Sequence, residues 1–155
     1  MTFRERTTRG EALRSWRGDV EADYLYTTGV AGERFFTELR DTGQMAAARC
    51  DACDVAYFPP RLYCEDCMAP TPDWIPVEGP ATVEEVTILH LDERGNRLAV
   101  PEVWAILRWT GIHGGLVHRV AVPPARAKPG LTVRPVLRPA AERVGNITDI
   151  LHFAP

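Results

Sequence analysis

The residues of this chain best equipped for chemistry are its cysteines. All four, Cys50, Cys53, Cys64 and Cys67, lie in the stretch CDACDVAYFPPRLYCEDC, and none is left over elsewhere. They form two Cys-x2-Cys pairs with ten residues between the inner members. Two residues between cysteines let one tight turn aim both sulfurs at the same point. Two such turns facing each other offer four soft ligands in a tetrahedron, the donor set of a structural zinc site. Iron in a rubredoxin-type site uses the same four thiolates, and ligand type alone does not separate the two metals. Disulfides are the competing use of these residues. They need an oxidising compartment, and the N-terminus carries no apolar run of the kind a secretory leader requires, so a metal and a cytoplasmic location are expected. Asp54 follows the first pair where such knuckles often carry glycine, and aspartate tolerates the left-handed backbone better than most residues. Four thiolates leave no open position for water, so the metal is expected to hold structure rather than to react.

Little else in the sequence points to catalysis. The histidines His90, His113, His118 and His152 form no metal-ligand pair and no nucleophile motif. His118 and Arg119 are neighbours in a predicted strand and face opposite ways, so they cannot act together on one small group. Phosphate-loop, dinucleotide and Gly-x-Ser-x-Gly patterns are missing. No catalytic residue is therefore assigned. The net charge is -3. Residues 1–79 carry 9 basic and 14 acidic side chains and residues 80–155 carry 9 and 7, so neither half is the strongly basic surface that a phosphate backbone demands. Trp104, Trp109 and Phe153 offer faces on which bases stack, which keeps a single-stranded nucleic-acid-binding protein as the alternative reading. No apolar run approaches the roughly 20 residues that span a bilayer.

The elements that must position the cysteines follow from pattern. Residues 1–30 are polar, with Trp16, Tyr24, Leu25 and Tyr26 as apolar anchors, a pattern that fits equally a segment packing on a partner and a flexible tail. Residues 32–42 (GERFFTELRDT) read as a helix with Phe35, Phe36 and Leu39 on one face, closed by Gly43. Residues 45–75 hold the cysteine ribbon, and Pro70, Pro72 and Pro76 make a rigid linker around Trp74. From Val77 onward the period changes to that of strands: 81–91, 102–109, 116–122, 131–137 and 147–153. Turn residues separate them, and Glu84 and Glu85 mark a bulge. Five short strands fit a small antiparallel barrel, the OB-fold being the best match. The fold class expected is mainly β: an N-terminal helical segment (1–44), a rubredoxin-like ribbon (45–76) and a five-stranded barrel (77–155).

The helix RFFTEL, then ARCDAC, FPPRLYCEDC and Trp74, then GPATVEEVTI and finally ITDILHF, resemble the zinc-ribbon and OB-fold proteins associated with acyl-CoA enzymes, long classed as a domain of unknown function. The match runs from about residue 33 to residue 153. The resemblance implies a non-catalytic accessory subunit of a thiolase, thiolase-like aldolase or hydratase complex, in which the partner chain is catalytic. It implies that the small subunit bridges the assembly and helps accommodate a coenzyme A thioester. It carries the metal ligands onto Cys50, Cys53, Cys64 and Cys67 and reads Pro59, Pro60 and Arg61 as structural. Charge alone marks Arg97, Arg119, Arg126 and Lys128 as candidates for the thioester's phosphates.

Overall fold

The computed structural model describes residues 26–92 and 94–155. The expected anchors Trp16, Tyr24 and Leu25 lie outside these residues. Helix α1 (Gly29–Thr42) begins before the expected Gly32 and ends at Gly43, whose φ of 75° lets its N–H reach the Leu39 carbonyl at 3.0 Å. Phe35 and Leu39 are buried and Phe36 is partly so. Their spacing places all three on one side of the helix, which packs against the ribbon and the barrel.

The ribbon strands β1 (Ala46–Cys50) and β2 (Val55–Phe58) pair antiparallel, with Ala48 opposite Tyr57. The proline-rich segment expected as a linker is instead a strand, β3 (Asp73–Pro76), laid along β1 with Trp74 opposite Ala48. It is an edge strand, where a missing proline N–H costs no ladder bond.

The barrel is closed, in the order β4 (Ala81–Leu91), β5 (Arg97–Arg108), β7 (Leu116–Val120), β9 (Ile150–Ala154), β8 (Thr132–Leu137). The β7–β9 pair is parallel and the others are antiparallel. This is the five-stranded Greek-key barrel expected from the strand spacing. The register shift between Val83 and Glu85 is the bulge that the paired acids marked. Two strand starts lie three or more residues from expectation. β5 starts at Arg97 rather than residue 102. β9 starts at Ile150 because residues 144–149 fold into a loop around a buried carboxylate. Asp149, wholly buried, accepts backbone N–H bonds from Val144, Gly145 and Asn146 at 2.7–3.2 Å, with Arg138 3.7 Å away. Burial opposes its ionisation, but these donors outweigh it and hold the carboxyl below its ordinary pKa.

A two-residue strand, β6 (His113–Gly114), has no counterpart among the strands expected from pattern. It pairs parallel with β2, Tyr57 against His113 and Phe58 against Gly114. The Gly115 N–H then bonds the Phe58 carbonyl at 2.8 Å. A Cβ on Gly114 would stand 2.1 Å from that oxygen, so only glycine permits the approach. Through this joint the ribbon and barrel share one core. Phe35, Leu39, Ala47, Ala56 and Phe58 are clustered with Val83, Leu107, Val133, Ile150 and Phe153. A series of ring contacts crosses it, from Phe36 through Phe35, Phe58, Trp109, Phe153 and His118 to Trp104, with centroids 5.1–6.0 Å apart.

Candidate metal centre

β1 delivers Cys50 at its last residue, and residues 51–54 turn back into β2. Asp54 closes that turn with φ 54°, in keeping with its position after the first pair. Arg49 reaches the Asp54 carboxylate at 2.6 Å, a solvent-exposed pair that contributes little to stability. The second turn has the same shape. The Cys64 N–H bonds the Ala69 carbonyl at 2.9 Å and the Met68 N–H bonds the Cys64 carbonyl at 3.1 Å. Met68, after the second pair, has φ 60°. Both residues following a Cys-x2-Cys pair are therefore left-handed, although neither is glycine.

The two turns bring all four sulfurs within 4.8 Å of one another. Cys50 and Cys67 sulfurs are 3.6 Å apart, and all four cysteines are free. Tetrahedral Zn–S bonds of about 2.3 Å set neighbouring sulfurs about 3.8 Å apart. The donor set and its spacing therefore fit a four-thiolate metal ion. Cys50 and Cys64 are buried, Cys53 is half-buried and Cys67 is exposed. Among the described residues this is the one group of three or more His, Cys, Asp or Glu side chains close enough to hold an ion.

Tyr57, buried beneath the cluster, carries no mark of this role in the cysteine spacing. Its hydroxyl lies 3.3 Å from the Cys64 sulfur and 3.1 Å from an Asp66 carboxylate oxygen, and the Arg61 guanidinium sits 5.3 Å above its ring. The hydrogen bond with Tyr57 draws the Cys64 thiol down to about 6, and the Tyr57 hydroxyl is raised in return. Cys53 is pushed up to about 12 by the neighbouring Cys67 thiol and by burial. Crowded sulfurs that cannot all ionise are the usual state of a thiolate site without its cation, and metal binding expels their protons. The only signal for Tyr57 is the apolar run VAYF, whose alternation sends a side chain from β2 toward the sulfurs.

The histidines are not brought together into a site. His118 is buried between Trp104 and Phe153 and its pKa is lowered, chiefly by that burial. His90 is exposed on β4, and His113 lies 5.9 Å from the Tyr57 ring. Trp109 and Phe153 belong to the core, whereas Trp104 stands half-buried on the outside of the barrel with its indole N–H on Glu102 at 3.0 Å. The candidate cations are dispersed. Arg97 lies in the β4–β5 hairpin, and Arg119 on β7 sits 3.5 Å from Glu102. Arg126 and Lys128 share the exposed segment between β7 and β8.

A helix docked on a four-cysteine ribbon, itself joined to a closed five-stranded barrel, defines the class of protein. Residues 38–73 match the family model described as ChsH2, rubredoxin-like zinc ribbon domain. A protein of unknown function from the DUF35 family of Sulfolobus solfataricus, whose crystal structure was solved at 1.80 Å, is 30% identical. The match covers 70% of this chain and 78% of that one, with a TM-score of 0.62. The chain belongs to the DUF35 family. The Ltp2-ChsH2(DUF35) aldolase shares the fold at 20% identity and a TM-score of 0.59, over 90% of this chain and 98% of that chain. No curated protein sequence matches. No helix among the described residues is long and apolar enough to cross a membrane.

Proposed function

We propose that this chain is a non-catalytic accessory subunit of a thiolase-type acyl-CoA enzyme complex. The observation that carries the reading is a likeness in fold over nearly the whole length to the DUF35 chain of an aldolase assembly. Cys50, Cys53, Cys64 and Cys67 hold a structural zinc ion, and the closed sulfur shell supplies rigidity rather than a reactive centre. The catalytic partner is a thiolase-fold or hydratase chain. The chain bridges the assembly and helps accommodate the coenzyme A thioester. The protein works in the cytoplasm.

The test is a tagged pull-down from the native host with mass spectrometry of what is retained. A thiolase-fold or hydratase chain in stoichiometric ratio is the expected result, and acyl-CoA turnover then belongs to that partner. Retention of nucleic acid alone, or of nothing, refutes the reading, as does acyl-CoA cleavage by the isolated chain at an ordinary enzymatic rate.

A further inference from the structure

The four sulfurs do not share one environment. Cys67 is exposed, so water can solvate its charge, whereas Cys50 and Cys64 are buried. A divalent ion among four thiolates is a doubly negative group, and sulfurs shut away from water need hydrogen-bond donors from the protein. Each Cys-x2-Cys turn supplies the same two. The Ala52 and Cys53 N–H groups face the Cys50 sulfur, and those of Asp66 and Cys67 face the Cys64 sulfur. Here the likeness of the two turns ends. Among the described residues Cys50 has only other cysteines as side-chain partners, whereas Cys64 also has the Tyr57 hydroxyl at 3.3 Å.

That hydroxyl has one proton and two acceptors in reach, the Cys64 sulfur and, at 3.1 Å, an Asp66 carboxylate oxygen. The oxygen stands beyond the usual O–H···O range of about 2.5–3.0 Å. Sulfur is the larger atom and is in contact at its own distance. Asp66 is exposed and has water as another donor, while Cys64 is fully buried and has none. The proton therefore does more for the sulfur. The hydroxyl is also held in place from both sides of its strand. Tyr57 pairs with Ala48 of β1 and with His113 of β6, and its ring meets the Arg61 guanidinium and the His113 ring at 5.3 and 5.9 Å. β6 comes from the barrel segment, so barrel and ribbon together fix the donor.

We propose that Tyr57 is a positioning residue of the metal centre: its hydroxyl donates to the Cys64 thiolate of the loaded site and so sets how tightly the ribbon keeps its ion. The inference rests on the reading of the four cysteines as metal ligands. Outer partners that hydrogen-bond a ligand are worth about 10–100-fold in metal affinity.

The experiment uses the full chain loaded with zinc and, separately, with cobalt. It compares wild type with Tyr57→Phe, which keeps the ring and removes only the oxygen. Zinc affinity, measured by competition with a chelator, is expected to fall about 10–100-fold. A merely slackened ribbon would also lose metal, so the cobalt protein supplies a second readout. Withdrawing a hydrogen bond raises the energy of the sulfur electrons, and the sulfur-to-cobalt charge-transfer band is expected to move to longer wavelength. Weaker binding with an unmoved band assigns Tyr57 to packing, or its proton to Asp66, and overturns the inference. Affinity within about twofold of wild type overturns it as well. Should Tyr57→Phe fail to fold, fluorotyrosine at position 57 keeps the shape and makes the hydroxyl a stronger donor. The band then moves to shorter wavelength, and an unmoved band again overturns the inference. All these failures leave the four-cysteine site intact; if the wild-type chain binds neither ion, the metal reading falls too.

Discussion

Replacing Gly114 with alanine tests whether ribbon and barrel are held as one body through their backbones. Two costs add. Gly114 has φ 88°, a conformation that costs a side-chain-bearing residue about 1–2 kcal/mol. Its new Cβ would stand 2.1 Å from the Phe58 carbonyl oxygen, so β2 and β6 must part and the 2.8 Å bond from the Gly115 N–H is lost. A buried carbonyl left without its donor costs about 1–3 kcal/mol. The total is about 2–5 kcal/mol, a large share of a typical domain's stability. Gly111 provides the control. It has φ 75°, but a methyl carbon added there would meet nothing within 4 Å, so Gly111→Ala bears the conformational cost alone. The assay is equilibrium urea unfolding of the metal-loaded protein. With a slope of about 2 kcal/mol per molar, Gly114→Ala lowers the midpoint by about 1–2.5 M and Gly111→Ala by about 0.5–1 M. Equal midpoints for the two variants would refute the steric account of the joint.

Elemental analysis of purified protein is expected to give one zinc per chain and a colourless solution; a red protein means iron. Cys50→Ser should release the metal and lower the unfolding midpoint of the whole chain, because Phe58 of the ribbon and Trp109 of the barrel are in contact. A barrel that melts at the wild-type temperature in that variant contradicts a shared core. Asp149→Asn should cost about 1.5–3 kcal/mol at pH 7, since the Val144, Gly145 and Asn146 N–H groups lose a charged acceptor. The folded carboxyl has a depressed pKa, so its stabilisation is present above the unfolded-state value of about 3.9 and is lost as pH falls through the folded value. The gap between wild type and Asn variant therefore narrows under acid, and a gap that widens there would rule this out.

The cysteine spacing, the helix carrying Phe35 and Leu39, and the span of β4 were legible because each depends on a local period. Other features depend on what lies alongside. β6 is two residues long and exists only because β2 passes next to it. β3 reads as a linker because of Pro70, Pro72 and Pro76, and its place at a sheet edge makes the one proline it contains, Pro76, tolerable. Pro101 breaks the pattern of β5 in the same way, yet it falls in the register shift between Leu89 and Leu91, where it has no β4 partner. At the candidate metal centre the clustering of the four cysteines followed from spacing. Tyr57 and the left-handed Met68 did not, since their roles come from the second turn folding back over the first.

The series of rings from α1 to the outer wall also gives the chain its own optical gauges. Trp74 lies beneath the Arg34 guanidinium at 4.2 Å, Trp109 is buried between Phe58 and Phe153, and Trp104 stands half in solvent beside Glu102. A cation over an indole, an apolar cage and a wet face tune fluorescence differently. Emission from Trp109 registers any slackening between ribbon and barrel, while emission from Trp104 registers changes at the solvent-facing wall, and variants that keep one tryptophan at a time separate the two.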